Sequence, residues 1–235
     1  KDEKDVSALL ERAYCYQVLG AYENALEDYN KVISLDPNNY DGYFGKFSLL
    51  LEYGMNTEAA EVLAQAGAIE GDRPGDQYNK AKLHYYQGNF DTAIVELEES
   101  YLNGFAEANF YIGEIYREKK EYQKAAYYYE MFITEGMLPG PYVYNQLGYC
   151  FIKLGDYSKA ITYLEKGIAM NHLGAKKALM KNEIIAYEGL GEFETAFEKM
   201  QEYIALYPDD AEALRENTFL KTRIISNESN EDEER

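Results

Sequence analysis

The stretch Leu19-Gly20-Ala21-Tyr22-Glu23-Asn24-Ala25 decides the reading of this chain, because it returns. Its landmarks recur as Tyr53-Gly54 followed by Ala59, and again as Gln87-Gly88-Asn89-Phe90-Asp91-Thr92-Ala93. Both steps are 34 residues. The pattern comes back at Tyr122 to Ala125, as Leu154-Gly155-Asp156-Tyr157-Ser158-Lys159-Ala160, and as Leu190-Gly191-Glu192-Phe193-Glu194-Thr195-Ala196, with spacings of 32, 35 and 36. A period of this length marks one supersecondary unit stacked many times, each copy burying a face that it cannot bury alone.

Within each copy the residues dictate two helices. Leu9, Ala13 and Tyr16, or Tyr144, Leu147, Gly148 and Phe151, recur at helical spacing and form one apolar stripe. A glycine then stops the helix in a left-handed conformation, and an aromatic residue precedes a second helix. The small Ala25, Ala93 and Ala160 of that second helix permit close approach of its partner, matched by Gly113 and Gly148 on the first. Pro37 and Pro208 follow second helices, where proline blocks continuation.

This pattern resembles the tetratricopeptide repeat (TPR), a helix-turn-helix unit of 34 residues, in six copies over about residues 6 to 208. The resemblance implies an all-α fold, a right-handed superhelical α-solenoid of antiparallel helix pairs. The copies are expected at 6–39, 40–73, 74–105, 106–140, 141–176 and 177–208, after a flexible segment 1–5. A capping helix is expected over 209–226, with Ala213, Leu220 and Ile224 on one face, and a disordered acidic tail over 227–235. Two copies depart from the pattern. The second has Asn56 in place of the turn aromatic and runs into Ala66-Gly67-Ala68-Ile69-Glu70-Gly71, which predicts a short second helix. The fourth has Lys120 in place of the turn glycine and is followed by the break Pro139-Gly140-Pro141.

Charge narrows the function. The 42 acidic and 23 basic side chains give a formal charge of −19, which repels phosphate backbones and anionic lipid, so no nucleic acid is expected as a partner. No apolar run is long enough to span a bilayer, so no membrane insertion by this chain is expected. The chain opens on Lys1 and not on methionine, which leaves its location open: cytoplasmic, or extracytoplasmic and lipid-anchored where an N-terminal signal has been removed.

Catalytic chemistry lacks a constellation. His84 shares a repeat position with Tyr16, Tyr116, Phe151 and Tyr187 and is expected to pack in the core. His172 has no histidine or cysteine at ligand spacing. Cys15 and Cys150 share one repeat position with Leu49, Leu83, Ile115 and Ala186, so both are expected to be small core residues. Gly189-Leu190-Gly191 follows a helix, lacks a third glycine and is explained by the repeat turn. No enzyme activity, catalytic residue, metal site or cofactor is expected.

A binding face follows from helical geometry. With each turn glycine at position 15, positions 2, 5, 9, 12 and 13 of the first helix cluster opposite the core stripe. In the tetratricopeptide family that set lines a concave groove, and the resemblance implies the same here. These positions hold Tyr14, Phe44, Tyr78, Lys82, Tyr85, Phe110, Glu114, Arg117, Tyr142, Asn145, Tyr149 and Lys181. Tyrosine suits such a face because it offers area and a hydroxyl at little entropic cost. The subclass of the family that grips a C-terminal carboxylate uses a lysine and an asparagine on the first copy, where this chain carries Leu10 and Tyr14, and basic residues on the third, where it carries Gly75 and Asn79, so that clamp is missing. The expected function is a non-catalytic scaffold or adaptor binding a peptide or protein segment in an aromatic-lined groove. The alternative is a receptor for a small molecule or glycan stacking on groove tyrosines.

Overall fold

The computed structural model describes residues 5–72, 74–135 and 137–233, with side chains through Ile224. Among them lie thirteen helices and no strand. They run as α1 (Val6–Val18), α2 (Tyr22–Leu35), α3 (Tyr40–Glu52), α4 (Asn56–Gly67), α5 (Pro74–Tyr86), α6 (Phe90–Leu102), α7 (Ala108–Glu118), α8 (Tyr122–Thr134), α9 (Pro141–Leu154), α10 (Tyr157–Ala169), α11 (Leu173–Leu190), α12 (Phe193–Leu206) and α13 (Ala211–Glu233). This is the all-α, solenoid-type array of helix pairs that the repeat implies. The chain divides into two compact units, Lys1–Ala108 and Asn109–Arg235.

Local chemistry sets the helix ends. Asn39 caps α3 by accepting from the Gly42 N–H at 3.0 Å, and Asp156 caps α10 by accepting from the Lys159 N–H at 3.2 Å. Pro141 starts α9, where its missing N–H costs nothing. Gly20, Gly54, Gly88, Gly155 and Gly191 all take φ between 71° and 79°, the left-handed stop that the sequence implies. Lys120 stands at the same turn with φ 60°, a conformation that crowds its Cβ against the backbone. α4 is 12 residues long, ending at Gly67 as its composition predicts.

Packing repeats as faithfully as the turns. The alanine five residues past each turn, Ala25, Ala59, Ala93, Ala125, Ala160 and Ala196, is 0% exposed in every copy. In the second unit Ala125, Tyr129, Leu147, Cys150, Phe151, Ala160, Leu164 and Leu179 form one core cluster. Gly148 is a close approach there: a Cβ on it would lie 2.4 Å from the Leu164 side chain, which is fully buried. The terminal helix α13 lays Ala213 and Leu220 into a cluster with Met180, Ile184, Met200 and Tyr203. Asp210 fastens its start, accepting from the Tyr203 hydroxyl at 2.6 Å and from the Ala213 N–H at 3.3 Å. Those bonds hold the Asp210 carboxyl well below the usual carboxylate range.

Four expectations need correction. Cys15 is exposed whereas Cys150 is buried, because the position they share is covered by the preceding helix pair, and none precedes α1 among the described residues. His84 is only half-buried, with Nδ1 2.6 Å from Glu96 Oε2 on α6, at the rim of the core. Tyr144 is also half-buried, its ring stacked 6.5 Å from that of Tyr163. Finally, α13 does not end near 226 but continues to Glu233, over a stretch that contains neither glycine nor proline to stop it. Of the segment 1–5, residues 1–4 lie outside the described residues, as do 234 and 235 of the acidic end.

The turn at Lys120 gives a direct test. Lys120→Gly should raise stability by about 1 kcal/mol, since glycine adopts the left-handed region without a Cβ penalty. Gly148→Ala should lower it by about 1–3 kcal/mol through overpacking against Leu164. Urea unfolding followed by circular dichroism checks both signs.

Candidate functional site

The twelve residues placed on the binding face sit on odd-numbered helices, and their neighbours differ from one helix to the next. Tyr14 on α1 and Tyr142 on α9 are open, at 60% and 49% exposure. Tyr78, Tyr85, Phe110, Arg117, Asn145, Tyr149 and Lys181 are half-buried. Phe44, Lys82 and Glu114 are buried, although helical geometry puts them opposite the core stripe. The reason is that, within each unit, successive odd-numbered helices turn these positions toward each other: α5 covers part of the α3 face in the first unit, and α9 part of the α7 face in the second.

In the first unit, α3 and α5 meet through an aromatic–cation stack. The Lys82 ammonium lies 4.6 Å from the Phe44 ring centre and 5.4 Å from that of Tyr78, with Asp41 Oδ1 at 3.9 Å. Tyr78 stacks in turn on Phe105, with centroids 5.0 Å apart and planes 15° apart. Burial pushes the Lys82 amine down and the Tyr78 phenol up, each disfavouring the charged form. Tyr85 leans on Tyr86 and Phe90, at 5.0 and 6.3 Å. Lys82 thus sits in a π-lined slot, its charge balanced by ring faces and a carboxylate.

In the second unit the corresponding layer is polar and centres on Glu114, at 3% exposure. Its carboxylate accepts from the Gln146 amide at 3.1 Å, the Arg117 guanidinium at 3.2 Å, the Tyr142 hydroxyl at 3.4 Å and the Tyr129 hydroxyl. The Gln146 amide also donates to Tyr142 Oη at 2.7 Å. Burial, then the Glu114 charge, pushes the Tyr142 phenol up to about 12. Phe110 lies 6.1 Å from Tyr142 and 5.9 Å from Phe132. Further along, the Asn182 amide of α11 donates to Asn145 of α9 at 2.9 Å, and Lys153 sits 5.2 Å from the Tyr149 ring. Lys181 reaches α13, at 3.1 Å from Asp210 and 3.0 Å from Glu212.

Sequence reasoning missed Tyr129 and Gln146, which lie on the core side of the stripe but reach across to Glu114. It also missed a cavity of about 200 Å³ between α11, α12 and α13, whose lining includes Ile184, Ile185, Glu188, Met200 and Tyr203. No pattern in the repeat signals either feature, because both depend on side-chain reach between neighbouring copies.

Two family models described as tetratricopeptide repeat match the chain, one over residues 6–39 and 141–172 and the other over residues 78–137, together more than half of its length. The chain belongs to the tetratricopeptide repeat family. No curated protein matches it in sequence. Among solved structures, the Cut9–Hcn1 hetero-tetramer of APC/C is similar at a TM-score of 0.69 and 16% identity, over 94% of this chain and 44% of that one. The tetratricopeptide chain therefore spans less than half the length of that relative. PilW, a widely conserved type IV pilus biogenesis factor, is similar at 0.65 and 16% identity, over 89% of this chain and 97% of that one. PilF of Pseudomonas aeruginosa gives 0.59 and 19% identity, over 92% and 98%. Likeness at such identities concerns the fold. A tetratricopeptide fold suggests a protein–protein interaction scaffold, and proteins of this family bind protein partners and are generally not catalysts. No helix among the described residues is long and apolar enough to cross a membrane.

The Glu114 cluster makes a testable demand. Glu114→Ala takes the acceptor from the fully buried Tyr129 hydroxyl and one acceptor each from Gln146 and Arg117, and should cost about 3 kcal/mol. Glu114→Gln keeps an acceptor oxygen and should cost clearly less. Chemical denaturation of the two variants beside the parent measures the difference.

Proposed function

We propose that this tetratricopeptide protein is a non-catalytic scaffold that holds a peptide or protein segment against the aromatic-lined faces of its odd-numbered helices. The observation that carries the reading is the graded exposure of those faces. Tyr14 and Tyr142 stand open, while Tyr78, Tyr85, Phe110 and Tyr149 show part of their rings and rest on neighbours that hold them in place. An aromatic side chain already immobilised by its neighbours loses little entropy when a partner covers its free side. In the second unit the polar contacts of Glu114, Asn145 and Lys181 fix the spacing between successive helices and so the spacing of the anchors there.

The alternative of a small-molecule or glycan receptor asks for a ring-lined enclosure. Sites for drug-sized ligands span about 300–1,000 Å³. Among the described residues, the larger openings of about 740 and 380 Å³ lie in the first unit and have Tyr40 as their one ring, while the cavity of about 200 Å³ in the second unit has Tyr203 as its one tyrosine. An extended segment laid over several anchors fits the exposed rings better.

Tyr14→Ala and Tyr149→Ala provide the test, because neither tyrosine is buried in the free protein. Both variants should melt within a few degrees of the parent, whereas the loss of an anchor should weaken partner binding about thirtyfold. Affinity capture with mass spectrometry, parent against variants, measures retention. Variants that melt like the parent and keep every captured partner sink the reading.

A further inference from the structure

Buried carboxylates in this protein generally keep a cation close. Asp28 has Arg12 at 2.6 Å, Glu114 has Arg117 at 3.2 Å and Glu183 has Lys199 at 3.3 Å. Glu188, a half-buried carboxylate on α11, departs from that habit. Its Oε1 is buried without a hydrogen-bond partner, and no ion-pair partner reaches it among the described residues. The Glu188 side chain, half-buried, lines the cavity between α11, α12 and α13, whose apolar lining includes Ile184, Ile185, Met200 and Ala213, and Glu216 of α13 lines it too. The one lysine on the rim, Lys181, is already taken by Asp210 and Glu212.

We propose that this cavity receives a single lysine side chain of the bound protein segment, its methylene stem against Ile184, Ile185 and Met200 and its ammonium on Glu188 and Glu216. The inference deepens the segment-binding reading and rests on it, since Lys181, Ile185 and Glu188 lie on the same helix face as the tyrosine anchors. Three observations specify the guest. An opening of about 200 Å³ is below the size of drug-like sites and suits one side chain. The apolar walls match a four-carbon stem that buries its length and presents only its tip. Two carboxylates lining one cavity from separate helices suit a compact ammonium, whereas a guanidinium fork seeks a planar bidentate acceptor.

Electrostatics agree with that placement. Burial, then repulsion by Glu216, pushes the Glu188 carboxyl up to about 7, so the empty site carries a charge that it holds unwillingly. The groups around it are Lys181 on its own helix, Tyr203 on α12, and Glu212 and Glu216 on α13. A cation entering there favours the ionised form, so lysine binding should strengthen as pH rises from 6 to 8 and weaken on acidification.

The experiment uses the whole chain and two blocked heptapeptides of serine and glycine, one with a central lysine and one with norleucine in its place. Methyl NMR follows Ile184, Ile185 and Met200 during titration. The lysine peptide should shift these methyls saturably below about 10 mM, a range that spans weak millimolar affinity, and the norleucine peptide should not. Glu188→Gln, which removes a charge that burial disfavours and should fold at least as well at pH 8, should weaken the lysine peptide about tenfold or more. Equal shifts from both peptides, no saturable shift, or undiminished binding to Glu188→Gln overturns the proposal. If the peptide fails while Tyr14→Ala and Tyr149→Ala still lose their partners, only the lysine pocket falls. If the peptide binds while those variants keep every partner, the pocket stands and the tyrosine anchors fall.

Discussion

Two helices can lie side by side at the 8–10 Å of close packing only where their facing side chains are small enough to let the backbones approach. In this protein that condition is met at one recurring place, the alanine five residues past each turn, which is wholly excluded from solvent in all six copies. The rest of the fold hangs on it. The left-handed turn before it sets the second helix at the right rotation to present that alanine, and the proline or cap after the pair ends the element before it overruns its neighbour. Where glycine assists from the first helix, as at Gly148, the approach is closer still, with Leu164 filling the space a methyl would need.

That dependence explains why the fold was legible in the sequence. Turn glycine, aromatic and alanine are short-range features, each with a local physical reason, and their period reports the architecture without any knowledge of contacts. Helices α1 to α12 begin and end close to where those marks place them. Exposure was less legible, and Cys15 shows why. Its repeat position predicts burial, and five copies obey, but burial is supplied by the preceding helix pair and is a property of the stack. Lys120 is a different case, since the chain keeps the turn geometry and tolerates an unfavourable residue there.

The binding face was legible in position and misread in environment. Assigning residues to the side opposite the core stripe takes only the 100° step of a helix, and the chosen positions do lie on the odd-numbered helices. Whether such a residue meets solvent depends on the length of side chains reaching from the next copy, and no single-helix projection contains that. Phe44 and Lys82 are covered by each other and by Tyr78, while Glu114 is covered by Tyr142, Gln146 and Tyr129. The two units solve the same problem with different chemistry. The first fills the layer with rings around an ammonium; the second fills it with hydrogen bonds around a carboxylate.

The contrast between the two cysteines has a practical side. Cys150 is enclosed in the second unit's core, and burial pushes its thiol up to about 12, so hardly any of it is thiolate at neutral pH. Cys15 is exposed on α1 and free. Of the two thiols, Cys15 is therefore the chemically addressable one, on the same helix as the open Tyr14. A maleimide dye or spin label would attach there selectively, with no engineered residue, one residue away from a proposed anchor. The covalent tag would then report, by its own quenching or mobility, the arrival of a molecule at that end of the array.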